Sequence, residues 1–473
     1  MVDDERVGTQ DGGARRLFQM AFRYRIYPTP EQERYFWRNI GACRFVYNHY
    51  LHERIAAYER TQRTLKVLRR GGAGEVLRDV RGKPAYEELP NVYYDPDARP
   101  LSLFDTTHDL TSLKREVTDD DGHPWLTDVD SGALLFALRN LDAAYQNFFR
   151  RVKRGEAKAG FPKYKRRSNC GSFKVAFRKA EKVVLPRDGE RLGAIILPKC
   201  GAVAARVHRP LLGSPTSATV SCKSDGRWYV SIQVKDVPIE ALPERHDMVG
   251  VTTGVSQLAV TSDGEVFENP RRGKALERKL ARESRRLSRK VGARKGERPS
   301  KNYEKQLKRL ARVRAKVTDQ RRDDIHKLTR TLVDEHGTIA IRDMAVSEMK
   351  GGGSLKGKAK RSLNRALDDS ALSTVMTQLK YKSEWAGREL VVVPADYPTA
   401  QTCSKCGYKY EVLAGDMRPR WVCPACGAVH DRKLNGAVNV LEAARDILSG
   451  KPVHPVSKAR KARKGKGEGE LGE

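Results

Sequence analysis

The sequence predicts a multidomain fold in which α/β units and a small curled β-sheet each form a core. Short runs rich in β-branched and aromatic residues, separated by Gly and Pro, fill residues 161–245, as in small barrels. Predicted helices with apolar residues at helical spacing precede them, at 31–57 and 131–152. Strand-like runs at 249–260 and 338–343 belong to a separate α/β unit. With 473 residues, the chain is long enough for two or three such domains.

The predicted curled sheet takes in a strand from the beginning of the chain. Residues 21–27 (AFRYRIY) alternate between apolar and polar side chains and end at Pro28, which is typical of a strand. If this strand joins the β-rich region, the helical segment between them is an insertion. Within that insertion, residues 60–130 are polar and contain no clear element. The β-rich region itself supplies five predicted strands, at 172–177, 182–185, 194–197, 217–222 and 228–234.

The second half of the chain mixes strands with helices. Further strands are predicted at 265–268 and 389–394. A flexible basic loop is expected at 351–361, followed by one helix at 363–386. A short helix is expected to follow Asn439.

The positive charge of the chain is concentrated in one segment. Lys and Arg number 91 against 59 Asp and Glu, a net charge of +32, which indicates a polyanionic partner. Residues 271–322 alone contain 22 Lys or Arg and 5 Asp or Glu, a net of +17. Apolar stripes on both sides of a break at 291–300 predict an antiparallel helical hairpin with a cationic outer face. The alternative is a solvated pair of charged helices, which would favour opposite charges four residues apart.

Several classes of protein are excluded by the same features. No apolar run is long enough to span a bilayer, and no basic helix carries an exposed aromatic face suited to a membrane surface. Residues 1–16 lack the apolar core and cleavage site of a secretion signal, so a disordered lead-in is expected. Four scattered cysteines favour a reducing cytoplasm over disulfide bonds: Cys43, Cys170, Cys200 and Cys222.

Four further cysteines predict a metal site. Cys403 and Cys406 form one CxxCG knuckle, and Cys423 and Cys426 form a second after a spacer of sixteen residues. Two intervening residues let both thiolates of a knuckle face one cation, and four thiolates complete a tetrahedral Zn²⁺ without leaving an open position. The site is therefore predicted to be structural, and iron is the alternative metal.

The order of the motifs resembles that of the TnpB family, the transposon-encoded relatives of type V CRISPR effectors. The resemblance spans about residues 20–445. It is carried by CRFVYNHYL (43–51), GFPKYKRRS (160–168), WYVSIQV (228–234), VGVTTGVSQLAVTSDG (249–264), QRRDDIHKLTRTLV (320–333), IAIRDMAV (339–346), QLKYKSEWAGRELVVVPADYPTAQTCSKCG (378–407) and CPACGAVHDRKLNGAVNVL (423–441).

The resemblance implies an architecture of interrupted domains. A wedge-type β-barrel is split by an inserted helical recognition lobe, and an RNase H-like RuvC domain is split by the basic hairpin and a zinc ribbon. The expected boundaries are a lead-in at 1–20, the wedge barrel at 21–42 and 153–245, the recognition lobe at 43–152, the RuvC-like domain at 246–400 and 428–446, the ribbon at 401–427 and a basic disordered tail at 447–473. The resemblance also implies a bound guide RNA that pairs with double-stranded target DNA beside a short motif read by the protein.

Three positions decide what the resemblance implies for catalysis. RuvC chemistry needs three carboxylates on separate segments to hold two Mg²⁺ ions. In the family pattern these acids stand where this chain has Thr252, Arg342 and Lys433. Replacement of three anionic ligands removes the reason for Mg²⁺ to bind, and the two cations could hold a DNA phosphate instead. The expectation is therefore a guided DNA binder that is not an enzyme and needs no catalytic Mg²⁺.

Two neighbouring acids are the alternative metal ligands. Asp343 follows Arg342, but successive residues of a strand point to opposite faces. Asp431 lies two residues before Lys433 and would share its direction if that segment is extended. One carboxylate still cannot form a two-metal site.

Other candidate nucleic-acid contacts come from the resemblance and from the basic segment. The positions that read the DNA motif in the family match Ser131, Gly132 and Leu135 at a helix start, and Arg178 and Lys179 after a strand. Ordinary helix capping is the alternative for Ser131 and Gly132. In the basic segment, contacts are predicted for Arg285, Arg286, Arg289, Arg321 and Arg322.

Some residues of the motifs have a more ordinary interpretation. Tyr47 and Asn48 match the family's YN pair, and a role in packing is favoured for them. His326 and His430 have no nucleophile or base partner in any recognised motif, so they are interpreted as structural or nucleic-acid contacts.

The favoured hypothesis is transcriptional repression by occupancy, in which a guided complex held over a promoter blocks polymerase. The expected location is the cytoplasm, at the bacterial nucleoid. One rival is a nuclease with non-standard ligands, whose Mg²⁺-dependent cutting would be lost in Asp431→Ala. A second is an unguided DNA-binding accessory of transposition, whose DNA binding would survive RNase. The regular sequence around the three substituted positions favours a retained binding function.

Overall fold

A computed structural model describes most of the chain. The described residues are 16–69, 76–78, 84–156, 159–167, 170–290, 299–344, 346–351, 356–414 and 418–451. The chain divides into two compact units, one formed by residues 19–237 and the other by residues up to 18 together with those from 238 onward. The predicted break at 291–300 lies mostly outside the described residues, as do most of the lead-in and most of the tail.

Three long helices of the 19–237 unit begin at well-formed caps. They are α1 (Pro30–Arg60), α2 (Leu103–Glu116) and α3 (Ser131–Lys153). Thr29 and Gln32 form a reciprocal capping box before α1, and Ser102 and Asp105 form another before α2. Asp130 caps α3 by accepting a hydrogen bond from the Ala133 N–H at 2.8 Å.

The strands of this part of the chain form one large sheet and one hairpin. They are β1 (Arg16–Tyr27), β2 (Thr64–Leu68), β3 (Tyr86–Pro90), β4 (Gly171–Ala176), β5 (Val183–Val184), β6 (Gly193–Leu197), β7 (Gly201–Arg206), β8 (Ser214–Cys222) and β9 (Trp228–Ile239). Seven of them form a curled sheet in the order β4-β8-β9-β1-β7-β6-β5, while β2 pairs with β3. The predicted curled sheet, including the strand from the beginning of the chain, is confirmed.

Three features of this region differ from the sequence prediction. Strand β1 begins at Arg16, within the predicted lead-in, and β7 was not predicted. The sequence of β7, GAVAAR, alternates in burial but carries mainly alanine, which gives a weak strand signal. Helix α2 and the β2–β3 hairpin lie in the segment where no clear element was expected.

The remaining elements alternate strands with helices. The strands are β10 (Met248–Thr253), β11 (Gln257–Thr261), β12 (Val266–Glu268), β13 (Thr338–Arg342), β14 (Glu389–Val393), β15 (Arg420–Val422) and β16 (Val429–Asp431). The helices are α4 (Arg272–Ala275), α5 (Glu277–Ser288), α6 (Lys301–Glu335), α7 (Val346–Gly351), α8 (Gly357–Ser370), α9 (Leu372–Ala386) and α10 (Arg432–Leu448).

A five-stranded sheet organises this unit. Its order is β12-β11-β10-β13-β14, with β10, β13 and β14 mutually parallel and β11 and β12 antiparallel. On one face, Val249, Val251 and Ile339 pack against α6 and α9. On the other face, Ala340 and Val393 pack against α10. The sheet is therefore buried on both sides, as expected for parallel strands.

Three predictions of local structure in this unit are wrong in detail. The helix predicted at 363–386 is two helices, α8 and α9, because the backbone at Ala371 adopts a left-handed conformation with φ of 47°. Residues 357–361, predicted as loop, begin α8. Helix α10 begins at Arg432 rather than after Asn439, because Asp431 caps it.

Within the described part of the chain, each helix is too short or too polar to cross a lipid bilayer.

Candidate nucleic-acid interface and metal centre

The four paired cysteines converge on one point. Their sulfur atoms lie within 4.8 Å of one another. The closest pairs join the two knuckles, at 3.7 Å between Cys403 and Cys426 and 3.6 Å between Cys406 and Cys423. Of the described residues, these form the one group of three or more His, Cys, Asp or Glu side chains able to hold a metal ion. Four convergent thiolates fit tetrahedral Zn²⁺ in a closed, structural site.

The two knuckles have the same backbone geometry. The Gly407 N–H donates to the Cys403 carbonyl, and the Gly427 N–H donates to the Cys423 carbonyl, each at 2.9 Å. Both glycines have positive φ, 74° and 70°, which explains why Gly follows the second cysteine of each pair.

A buried histidine contacts the cysteine cluster. The Nε2 atom of His430 lies 3.0 Å from the Cys403 sulfur, and both residues are buried. The indole of Trp421 packs on the imidazole with ring centroids 4.7 Å apart. Burial lowers the pKa of His430, which favours a neutral ring that can donate from Nε2 to a thiolate. The structural interpretation of His430 is therefore the one that its contacts support.

The segment beside the cysteine cluster is tied to helix α10 by two buried amides. The Asn435 and Asn439 side chains donate to the Thr402 carbonyl, at 2.8 Å and 2.7 Å. Asn435 also accepts from the Ser404 N–H at 2.9 Å. Sequence inspection missed this connection, since an Asn in a helix gives no signal of its distant partner.

The three positions predicted to replace acids of the family, Thr252, Arg342 and Lys433, lie at one edge of the five-stranded sheet. Strands β10 and β13 are parallel with Val251 opposite Ile341, so the next residues, Thr252 and Arg342, lie at the same ends of their strands. Lys433 is in the first turn of α10, which packs across β10. Its ammonium donates to the Gln257 carbonyl at 3.4 Å.

Contacts link these positions through Gly436 and Thr399. A Cβ at Gly436 would lie 3.2 Å from the Thr252 hydroxyl oxygen, so the helix approaches β10 closely. The Arg342 guanidinium donates to the Thr399 hydroxyl at 3.1 Å, and the Thr399 carbonyl accepts from Asn439 at 2.8 Å. Thr399 was not identified from sequence.

The electrostatics of this edge favour an anion over a cation. Burial lowers the pKa of both Arg342 and Lys433, which indicates that their charges are only partly solvated. The Thr252 hydroxyl is buried with no hydrogen-bond partner among the described residues. A hydroxyl, a guanidinium and an ammonium do not fit a two-Mg²⁺ site, which needs anionic oxygen ligands.

The two alternative acids, Asp343 and Asp431, have different surroundings. Asp343 is exposed, and its backbone N–H extends the pairing with β14 by donating to Val393 at 2.8 Å. The Asp431 carboxylate accepts from the N–H groups of Lys433 and Leu434, at 2.9 Å and 3.1 Å. Asp431 is thus the N-cap of α10, and the chain is helical from Arg432 onward. Asp431 would share the direction of Lys433 only if this segment were extended, so that condition is not met.

Among the described residues, the basic segment contains the short helix α4 and the helices α5 and α6, which pack against each other. Arg285, Arg289 and Arg322 have exposed side chains. Arg286 pairs with the buried Glu283 at 3.3 Å. Arg321 instead donates to Asp369 at 2.7 Å in a half-buried ion pair, so its guanidinium is already engaged within the protein.

The two segments proposed to read a DNA motif are neighbours. A Cβ at Gly132 would lie 4.0 Å from the Ala176 nitrogen, next to the turn that exposes Arg178 and Lys179. Ser131 is exposed and accepts from the Lys114 ammonium at 3.1 Å.

Leu135, the third helix residue proposed to read the DNA motif, is half-buried. The cap of α3 is Asp130, not Ser131 or Gly132, so helix capping does not account for those two residues. Tyr47 and Asn48 have the packing role that was favoured: Asn48 exchanges two hydrogen bonds with the Lys165 backbone, and the Lys165 ammonium lies 4.0 Å from the Tyr47 ring.

The fold and the convergent cysteines define a class of basic protein with a curled sheet, a mixed α/β domain and a compact cysteine-rich segment. Sequence comparisons match residues 230–352 to a family described as "Probable transposase", residues 373–440 to the "Cas12f1-like, TNB domain" and residues 18–63 to a "Helix-turn-helix domain". In this chain, residues 18–63 are mainly a strand followed by a single long helix.

Relatives align along nearly the whole chain. A "Putative RNA-guided DNA endonuclease" of Streptomyces pristinaespiralis is 32% identical over 426 residues, covering 89% of each chain. The "Putative RNA-guided DNA endonuclease InsQ" of Escherichia coli (strain K12) is 31% identical, covering 91% of this chain and 93% of the relative. A solved Cas12f1–sgRNA–target DNA complex aligns with a TM-score of 0.42 and 13% identity, over 90% of this chain and 98% of the other. The chain belongs to the TnpB family.

Proposed function

We propose that this protein binds DNA at sequences chosen by a guide RNA, does not cut the DNA, and represses transcription by occupying its target. The observation that carries the proposal is the chemistry at the substituted positions. A buried hydroxyl and two partly desolvated cations lie at one edge of the five-stranded sheet, at the positions where the family pattern has metal-binding acids.

The proposed partners follow from charge and from the relatives. Guide RNA and duplex DNA are both polyanions, which suit a chain with a net charge of +32. Two relatives that align over nearly the whole chain are named for RNA-guided activity on DNA. In this proposal Arg342 and Lys433 hold a phosphate, Ser131, Leu135, Arg178 and Lys179 face the short duplex motif, and Arg285, Arg286, Arg289 and Arg322 contact backbone phosphates. We withdraw Arg321 from the direct contacts because it pairs with Asp369.

The domain arrangement completes the proposal. The curled sheet corresponds to the wedge barrel, residues 43–152 to the recognition lobe, and the five-stranded sheet with its helices to a RuvC-like domain. The cysteine segment corresponds to a structural zinc ribbon. The cell compartment proposed is the bacterial cytoplasm, at the nucleoid.

The decisive experiment is sequencing of the RNA that copurifies with the protein when it is expressed with its native downstream DNA. One enriched RNA with a constant scaffold and a short variable end is expected, and the variable end should match a promoter. A DNase footprint on that promoter should then show protection. The same DNA incubated with the complex and Mg²⁺, without DNase, should keep both strands intact. Bulk degraded RNA, with DNA binding that survives RNase, would instead favour an unguided accessory protein.

A second candidate function is supported by the names of the relatives, since both are described as endonucleases. It predicts Mg²⁺-dependent cleavage of the guided target that Asp431→Ala abolishes. In our proposal, wild type and Asp431→Ala both leave the target intact, and the substitution affects only stability because it removes the cap of α10.

A further inference from the structure

A cluster of aromatic side chains lies at the end of helix α3 and in the segment after it. We call Tyr145, Phe148, Phe149 and Phe161 the aromatic platform. Phe161 meets the ring of Phe148 at 5.2 Å and that of Tyr145 at 5.6 Å, edge to face. Phe149 contacts the same two helical rings, at 5.2 Å and 6.2 Å. The four rings therefore form one continuous surface.

Much of this surface faces solvent. The side chain of Phe149 is 61% exposed and that of Phe161 is 46% exposed, and their neighbours Val152 and Tyr164 are 51% and 50% exposed. Single exposed apolar side chains are common, but a contiguous aromatic patch marks an interaction site.

The base of the aromatic platform is fixed from below. The guanidinium of the buried Arg54 lies 5.3 Å from the centre of the Tyr145 ring and pairs with Asp142 at 3.3 Å. A ring that is held in place loses little freedom when a flat ligand stacks on the cluster.

The charge around the aromatic platform indicates what stacks on it. Residues 148–167 contain nine Lys or Arg and a single acid, Glu156, so the surroundings are strongly cationic. Arg150, Lys153, Lys163 and Arg166 are exposed. Aromatic rings interleaved with cations match single-stranded nucleic acid, in which bases stack on the rings while phosphates meet the cations.

We propose that the aromatic platform binds an unpaired stretch of the guide RNA by base stacking. This inference rests on the proposed guided function. Bases in a duplex hide their faces, so the ligand must be single-stranded. Ser131 and Phe149 are eighteen residues apart on α3, about 27 Å along the helix, so the aromatic platform serves a different part of the nucleic acid from the proposed motif readers. RNA is favoured over a displaced DNA strand because, under the proposed function, the guide is bound to the protein before any target DNA is.

The first test uses the full-length protein stripped of RNA in high salt, with a 12-nucleotide oligouridine and an RNA duplex of equal length as probes. The double variant Phe149→Leu/Phe161→Leu keeps apolar bulk but removes the stacking faces. It should bind oligouridine about tenfold or more weakly, with duplex binding unchanged. Phe104→Leu, which changes a 79% exposed Phe on α2, is the matched control and should bind as wild type. Unchanged oligouridine binding in the double variant, or an equal loss in the control, would overturn the proposal.

The second test needs no variant and separates this inference from the guided function. Ultraviolet crosslinking of the native complex with target DNA, followed by mass spectrometry, should join the peptide containing Phe149 or Phe161 to RNA. Crosslinks of these peptides to the displaced DNA strand, or guide crosslinks confined to other peptides, would reject the aromatic platform as a guide site while the guided function stands. If no defined guide copurifies but oligouridine binding still depends on the two rings, the RNA-binding surface stands and the guided function fails.

Discussion

Thr252, Arg342 and Lys433 are the residues that the resemblance predicts at the positions of the family's acids, and each has a different environment. The Thr252 hydroxyl is buried without a partner among the described residues, the Arg342 guanidinium donates to Thr399, and the Lys433 ammonium donates to the carbonyl of Gln257, the first residue of β11. Glu268 and Asp431 act electrostatically on Lys433, but burial still outweighs them in lowering its pKa, and burial lowers the pKa of Arg342 as well. A bound anion would stabilise both charged forms at this edge.

Restoring the three acids should restore metal binding. We expect Thr252→Asp/Arg342→Glu/Lys433→Asp to be destabilised without divalent cations, because three carboxylates then repel one another. Saturating Mg²⁺ should raise its melting temperature by several degrees, since a ligand at 100 times its Kd adds about 2.7 kcal/mol. The wild-type melting temperature should not respond to Mg²⁺.

The amide variant Thr252→Asn/Arg342→Gln/Lys433→Asn is the control for altered packing, and it should not respond to Mg²⁺ either. Thermal melts with and without Mg²⁺ measure all three proteins. A triple-acid variant as indifferent to Mg²⁺ as wild type would mean that these positions do not converge as a two-metal site.

How far this site could be predicted from sequence depends on the distance between partners. Thr252, Arg342 and Lys433 could be selected from the sequence because each lies in a contiguous motif, such as IAIRDMAV around Arg342. Thr399 lies 57 residues from its partner Arg342, and Asn439 lies 37 residues from Thr402. Such pairings are set by the packing of β13, β14 and α10, which local patterns do not specify.

At the scale of elements, the cysteine segment and α10 behave as one structure. Strand β16 ends at Asp431, the cap of α10, and Asn435 and Asn439 bond to the chain just before Cys403. Order at the metal centre therefore supports the helix that carries Lys433.

Removal of the metal should disorder both parts together. We expect a strong chelator to increase amide hydrogen exchange across the cysteine segment and in the first two turns of α10, because four thiolates lose their common ligand. Strands β4, β8 and β9 of the curled sheet should be unaffected and serve as an internal control. Hydrogen exchange read by mass spectrometry checks this. Increased exchange confined to the knuckles would show that the two Asn side chains do not transmit the change.

The contact between α6 and α9 contains a group whose titration can be measured. The Lys382 ammonium donates to the Thr329 hydroxyl at 2.7 Å and to the His326 carbonyl at 2.9 Å. Burial, and then the Arg330 cation, lower the pKa of Lys382 from 10.5 to about 8.

Stability should therefore rise with pH through this group. Between pH 8 and 10.5 the unfolded chain binds a proton that the folded protein does not, so the free energy of unfolding increases as pH rises. We expect a gain on the order of 1 kcal/mol from pH 7.5 to 9.5, after allowance for solvent screening of a half-buried group. Guanidinium denaturation of wild type and Lys382→Met at pH 7.5 and 9.5 gives the free energies of unfolding, and their difference isolates the contribution of Lys382. An equal pH response in the two proteins would contradict the low pKa.

The success of the element predictions followed the strength of the local signal. Helix α3 was predicted almost to the residue because its apolar stripe runs without interruption. Strands β8 and β9 were predicted because apolar and polar residues alternate along them. Strand β7 was missed because alanine signals helix as readily as strand. The break between α8 and α9 was missed because a left-handed Ala371 has no sequence signal, unlike a glycine.

At the scale of the whole molecule, charge is the dominant property. A net charge of +32 on one chain produces self-repulsion, and a bound polyanion relieves it. Guide RNA would cover much of the basic surface permanently, and target DNA would meet only what remains. The protein alone and its RNA complex should therefore bind unrelated DNA in different ways.

We expect the RNA-free protein to bind a non-specific DNA duplex with a steeper dependence on salt than the RNA complex. The logarithm of the binding constant falls with the logarithm of salt concentration by about 0.9 for each phosphate neutralised, so cations already paired with RNA no longer contribute. Titrations of one duplex at several salt concentrations, with both forms purified from the same preparation, give the two slopes. A form refilled with the RNA should return to the shallow slope, which excludes damage during stripping. Equal slopes would mean that the DNA-binding cations are not those that RNA covers, and the +32 charge would then serve two separate surfaces.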